Sequence, residues 1–383
     1  MEFDFLSPVD TDLIIDLKRL SSQHLSNKVV FHTQEDFPDI SKINIAIIGV
    51  PDHRGNNQDS REIDLSLIRL ELYHLFPGNW SHSIADLGDI LPGNSPEDTY
   101  FALQKVVSRL IKNKVIPIII GGSQDLTYAL YRGYDDLEQM VNLVSIDSKF
   151  DLGKHDGTAL VDSYLSKIII EEPNNLFNYC NIGYQTYYNS QEEIDLIEKL
   201  YFDAYRLGEV CNNIAVSEPV FRDADLVSLD LTSVKSSDSG NFNNFQPNGF
   251  NGKEICALAR YAGISDKVSC FGIFNHQGSK QETALIAQVI WYFIEGIHYR
   301  SNEYPFGSKD NYIKYTVPNE DEDIVFYKSD KTERWWIEIP FFINSNNKLK
   351  KNTLLPCSQE DYLAACNQEM PERWWKAQRK STI

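Results

Sequence analysis

"VNLVSIDSKFDLG", residues 141 to 153, is the stretch that sets the reading of this chain. An apolar run, Val141 to Ile146, gives way to Asp147, Lys149 and Asp151 at alternate positions. A short apolar run bounded by polar residues reads as a buried strand, and alternate side chains of a strand share a face. One edge then offers a carboxylate, an ammonium and a second carboxylate in a row. Such a row could hold a metal ion, replace one, or pair charges.

Similar runs lie on either side. "INIAIIGV" (43–50), "VIPIII" (115–120), "YCNIGY" (179–184), "ADLVSLDL" (224–231) and "KVSCFGIF" (267–274) read as strands. Helical spacing of apolar residues marks 11–23, 62–76, 97–113, 125–139, 191–201, 252–262 and 280–297. Strands apolar on both faces, alternating with helices, predict a three-layer α/β/α domain with a mostly parallel sheet. Ligand sites in such sheets form at the carboxyl ends of strands. Four of these ends carry polar clusters: Gly121-Gly122-Ser123-Gln124-Asp125, Asp147 to Asp151, Asp230 with Thr232, and Asn275 with His276.

In order and spacing these motifs resemble the ureohydrolases: arginase, agmatinase and formimidoylglutamase. "IIGVPDHRG" resembles their Gly-x-Pro-x-x-x-Gly loop, and "GGSQDLT" stands where they have Gly-Gly-Asp-His-Ser. "DSKFD" stands at Asp-Ala-His-x-Asp, and "SLDLTSVKSSD" at Ser-x-Asp-x-Asp-x-x-Asp-Pro. "PNGF" resembles their Pro-Gly-Gly-Leu, and "GIFNHQ" stands at a strand ending in Glu-x-Asn-Pro. The resemblance spans residues 43 to 297 and implies a pair of manganese ions on two His and four Asp. A hydroxide bridging that pair attacks a guanidino or imino carbon.

Carried over position by position, the resemblance places Gln124 and Lys149 at the two His positions. Asp147, Asp151 and Asp230 are kept, Thr232 takes the place of an Asp, and Asn275 that of the substrate-binding Glu. A protonated ammonium has no lone pair to give a metal, and neighbouring carboxylates hold it charged. The expectation is that Lys149 lies among Asp147, Asp151 and Asp230 and stands in for the lost ions. This implies a ureohydrolase-fold protein that has lost dinuclear manganese hydrolysis, carries no cofactor, and acts as a binding, scaffold or regulatory protein. The alternative is an active formimidoylglutamase- or agmatinase-like amidinohydrolase with one Mn²⁺ or Mg²⁺ on Asp147, Asp151 and Asp230. His276 and His155 are the weaker candidates for a catalytic base. Asp125 reads as a displaced ligand or a helix cap, and Gly121-Gly122 as an anion-binding turn or a turn shaped by geometry alone.

After residue 300 the texture changes. The reading divides the chain into a helical extension (1–42), the ureohydrolase-like domain (43–299) and a small α+β appendage (300–383). In the appendage "DIVFYKSDKTERWWIEIPFFI" is expected as a hairpin and "SQEDYLAACNQEMPERWWKAQ" as a helix. Four of six tryptophans fall there, in two copies of Glu-Arg-Trp-Trp. Arg334, Trp335, Trp336, Arg373, Trp374 and Trp375 are either a satellite core or an interface, since Trp and Arg are common anchors. A protein partner or self-association is expected.

The formal charge of −19 argues against nucleic acid as a partner. No apolar run nears the roughly 20 residues that span a bilayer. No basic leader opens the chain, and the six scattered cysteines include no Cys-x-x-Cys. The expected location is therefore the cytoplasm, with free thiols and no membrane insertion.

Overall fold

The strands read from the sequence form the middle of one ten-stranded sheet in the computed structural model. The structure describes residues 3–56, 64–137, 139–153, 160–303, 305, 309–319, 323–339 and 354–382. The strands are β1 (Leu6–Ser7), β2 (Val29–Phe31), β3 (Ile45–Val50), β4 (Ile84–Ile90), β5 (Ile116–Gly121), β6 (Val141–Ile146), β7 (Leu176–Tyr184), β8 (Asp203–Arg206), β9 (Leu226–Asp230) and β10 (Cys270–Phe274). Their order is β1-β4-β3-β5-β10-β9-β6-β7-β8, with β2 also on β4. All pairings are parallel except β1 with β4.

Each central strand is buried on both faces, which is why it reads as a continuous apolar run rather than an alternating one. In β3, Ile45 and Ile47 join one core cluster, while Ala46, Ile48 and Val50 join the other. The first cluster packs under the helices Ser66–Tyr73, Gly252–Ile264 and Lys280–His298. The second packs under Pro96–Lys112, Leu126–Arg132 and Tyr164–Ile170. The result is the expected three-layer arrangement.

Two expectations change, and one strand went unread. The described residues of 1–42 hold one α-helix, Thr11–Lys18, and two short 3-10 turns, but β1 and β2 also lie there and add to the main sheet. The stretch "IADLGDI" is strand β4, although its three polar or glycine positions hide it from any apolar pattern. The stretch read as one helix at 358–378 is two, Gln359–Cys366 and Glu372–Thr382, separated at Pro371, whose ring cannot continue a helix.

The tail builds a second, antiparallel sheet in the order β11 (Tyr312–Val317), β12 (Ile324–Ser329), β13 (Trp335–Glu338) and β14 (Leu354–Cys357). The expected hairpin is β12 with β13; residues 340–343 of that stretch lie outside the described residues. Trp335, Trp336 and Trp374 are buried, so an interface made by both Trp pairs does not hold. Trp375 alone of the four is exposed, at 40%.

The burial has a cause in Arg222. Its guanidinium lies over the Trp336 ring at 4.6 Å and donates to the carbonyls of Trp335 and Cys357, both at 2.9 Å. Arg334 is drawn to Glu218 at 3.4 Å, and Arg373 donates to the Pro356 carbonyl at 2.9 Å. Both arginines of the repeated motif therefore hold the tail to itself and to the main sheet.

Candidate functional site

β5, β10, β9 and β6 are consecutive neighbours at the centre of the sheet. Their carboxyl ends therefore bring the four polar clusters to one place. Gln124, Asp147, Asp151, Asp230, Asn275 and His276 are all buried there. Asn275 knits the strand ends together: its Oδ1 accepts from the Gln124 backbone at 3.3 Å and from Asn56 Nδ2 at 3.1 Å. Asp151 and Asn275 both hold positive φ, 56° and 60°. Asp and Asn tolerate this left-handed region better than other side chains.

The loop after β6 does not continue the strand. Asp147 Oδ1 accepts from the backbone N–H of Lys149 at 2.9 Å, an Asx turn that bends the chain. Asn181 holds the Lys149 carbonyl at 2.7 Å, and Asn189 holds the Phe150 N–H at 2.8 Å. The turn brings the Asp151 carboxyl to that of Asp147. The Lys149 ammonium meets Asp162 at 3.2 Å, with its side chain 47% exposed. The expected insertion among the three carboxylates is thus incorrect. Lys149 pairs charges at the rim, although Asp151 and Asp147 still contribute to holding it protonated.

Asp230 is also committed. Thr232 donates its backbone N–H to Oδ1 at 2.7 Å and its hydroxyl to Oδ2 at 2.8 Å. The pair forms a closed cap on the turn after β9. Buried oxygens left without a partner among the described residues include three of this cluster: Gln124 Oε1, Asp147 Oδ2 and Asp151 Oδ2. The Gln124 amide nitrogen makes long contacts, 3.3 to 3.5 Å, to Ser145, Tyr164 and Ser228 hydroxyls, and its side chain also interacts with Asp147.

Crowded carboxylates out of water resist ionising. Burial and then the Asp230 charge push Asp147 up to about 8, and burial and then Asp147 push Asp151 well above the usual range. Burial raises Asp230 as well, against the lowering pull of Thr232. His276 moves the other way: burial and the neighbouring His53 push it down to about 3. It is neutral at physiological pH and a poor general base. His155 lies outside the described residues.

The Gly-Gly turn and Asp125 have structural explanations. A Cβ on Gly122 would lie 1.9 Å from the Asp52 carbonyl oxygen, so the close approach of that loop requires glycine. Asp125 makes no cap; it accepts the Tyr100 hydroxyl and packs on Gly55.

A further carboxylate escaped the sequence reading. Glu282, fully buried on the first turn of Lys280–His298, accepts from the Gln277 and Gly278 backbones at 2.5 and 2.9 Å. Burial raises it to about 7, and Asp230 adds to the rise. The pattern Ser279-x-x-Glu282 is a capping signature and was the signal available. Because its folded pKa lies above the unfolded one, the protonated form carries the stabilisation. That stability is full below about pH 4 and is lost as pH rises through about 7. Glu282→Gln should therefore flatten the loss of stability between pH 5 and 8 by about 1–2 kcal/mol, read from urea melts. Superimposable pH profiles would refute this.

With the geometry in view, comparison with known proteins places the chain. The arginase family model matches residues 43–263. This protein belongs to the arginase family. Formimidoylglutamase of Streptococcus gordonii is 30% identical over 144 residues, which are 33% of this chain and 44% of that protein. The Geobacillus thermodenitrificans formimidoylglutamase is 28% identical over 159 residues, 40% and 45% of the two chains. The matched stretches thus span less than half the length of these two relatives. Trypanosoma cruzi formiminoglutamase, solved with Mn²⁺, superposes with a TM-score of 0.61 at 18% identity and covers 69% of this chain and 100% of its own. Bacillus subtilis formimidoylglutamase gives 0.61 at 16%, over 72% and 95%. At such identities the likeness is one of fold.

The arginase-family manganese pair does not fit these side chains. Lys149 has no lone pair to offer, Gln124 brings an amide in place of an imidazole, and Thr232 puts a hydroxyl where the resemblance requires a carboxylate. Among the described residues no three His, Cys, Asp or Glu side chains converge as a metal site. No helix of the described residues is long and apolar enough to cross a membrane.

Proposed function

We propose that this arginase-family protein has given up dinuclear manganese hydrolysis and works by binding, as a scaffold or regulator. The observation that supports it most is at Thr232, where the resemblance requires a carboxylate and a hydroxyl instead donates to Asp230. Gln124 and Lys149 at the imidazole positions act in the same direction. A proton shared between Asp147 and Asp151 then relieves the repulsion that ions would otherwise neutralise.

One observation favours a second reading. The unpartnered oxygens of Gln124, Asp147 and Asp151 form an all-oxygen donor set, the kind that hard cations prefer. On that reading a single Mn²⁺ or Mg²⁺ serves a formimidoylglutamase-like amidinohydrolase. Elemental analysis after purification in manganese separates the two, together with assays on formimidoyl and guanidino substrates. The first reading expects well under one tightly held ion per chain and no turnover. Two ions per chain, or hydrolysis above the metal-free background, would overturn it.

A further inference from the structure

The C-terminal helix Glu372–Thr382 packs across the end of the main sheet at β8. Arg373, Lys376 and Lys380 are spaced three and four residues apart, so they share one face of it. That face meets Asp203 and Tyr205 of β8 and Asn178 of β7, and a cavity of about 40 Å³ lies between them. About 10–15 Å³ of such space holds one water, so this volume admits a few waters or one compact anion.

The charges around the cavity are unequal. Its carboxylates are Asp203 and Asp223; its cations are Arg373, Lys376 and Lys380. Lys267 holds Asp223 at 3.2 Å, and Lys376 holds Asp203 at 3.2 Å and the rim residue Glu372 at 2.8 Å. The other two cations make hydrogen bonds to neutral oxygens. Arg373 donates to the Pro356 carbonyl at 2.9 Å and the Tyr205 hydroxyl at 3.2 Å, and Lys380 donates to the Asn178 side-chain oxygen. Asp203 is the counter-charge that all three cations share, so one carboxylate faces three half-buried cations, and an anion between them would offset the remaining excess. Burial lowers the Lys380 ammonium to about 8 against the raising pull of Asp203, and Lys376 adds to the lowering.

We propose that this cavity binds a small oxyanion of the phosphate type, held by Lys380 Nζ, the Arg373 guanidinium and the Tyr205 hydroxyl. The geometry supplies donors of three kinds: an ammonium with N–H groups left over after Asn178, a guanidinium, and a hydroxyl whose proton remains after it accepts from Arg373. Two come from the tail helix and one from the edge strand. A bound oxyanion would therefore bridge the tail to the arginase-like sheet and stabilise their contact by mass action. This site is independent of the carboxylate cluster at the strand ends and of whatever chemistry occurs there.

The test is equilibrium dialysis of the full chain against radiolabelled inorganic phosphate, at ionic strength fixed with KCl. Wild type should show saturable binding of one phosphate per chain. Lys380→Met, which keeps the aliphatic stem, should bind about tenfold more weakly, the size of one charge-assisted hydrogen bond. Tyr205→Phe removes a single hydroxyl and should bind several-fold more weakly; it decides the matter should Lys380→Met fail to fold. Absence of saturable binding by wild type, or equal binding by wild type and both variants, would overturn the proposal.

Discussion

Asp86→Ala should lower the free energy of unfolding by about 3–5 kcal/mol, the usual cost of removing one partner of a buried ion pair. Asp86 is fully buried on β4, and both its oxygens are in use. Oδ2 accepts from Arg69 Nε at 2.8 Å and the Tyr73 hydroxyl at 2.5 Å; Oδ1 accepts from Arg69 Nη2 at 3.1 Å and the Gly88 N–H at 3.0 Å. Arg69 is 2% exposed, and without Asp86 its charge would rest on Asp89, at 2.8 Å, and the Gly88 carbonyl. The Tyr73 hydroxyl would lose the acceptor it bonds. Asp86→Asn keeps an acceptor and should cost less. Urea denaturation of the two variants measures the difference, and a loss below about 1 kcal/mol for Asp86→Ala would mean that water or rearrangement replaces the carboxylate.

The same pair shows where the sequence stops speaking. β3, β5 and β6 are legible because burial on both faces leaves them mostly apolar, with Asn142 and Ser145 of β6 the polar exceptions. β4 is equally buried, yet it carries Asp86, Gly88 and Asp89 because it must answer Arg69 from the helix Ser66–Tyr73. A strand that buries a charge looks like a loop until its partner is known. β1 and β2, at two and three residues, are too short for any period to register. The split of the C-terminal helix at Pro371 was legible and outweighed by the apolar spacing on either side.

At the site, the gathering of Gln124, Asp147, Asp151, Asp230 and Asn275 follows from strand order, and the spacing of motifs carries that information. The direction of each side chain does not follow. Asp147, Lys149 and Asp151 share a face only if the strand continues, and the Asx turn at Asp147 ends it. A lysine with four rotatable bonds then chooses Asp162, thirteen residues on, over closer carboxylates that are out of water. Desolvating an ammonium costs more than a half-exposed ion pair returns.

Restoring the missing donors should restore metal. The triple variant Gln124→His, Lys149→His, Thr232→Asp supplies two imidazoles and a fourth carboxylate on a backbone that already gathers the other three positions. It should bind manganese about a hundredfold or more tightly than wild type, because borderline divalent ions favour imidazole over amide oxygen and cannot use an ammonium. Thr232→Asp matters most in this account. It removes the hydroxyl that occupies Asp230 Oδ2 and puts a carboxylate in its place. Lys149→His alone should therefore gain little, since that ammonium already faces Asp162 rather than the cluster. Calorimetric titration with Mn²⁺ across wild type, Lys149→His and the triple variant reads the series directly. A large gain from Lys149→His alone would return the lysine to the centre of the site and contradict its outward placement. A folded triple variant without a gain would mean that closure by Thr232 and the lost imidazoles are not what keeps the metal out.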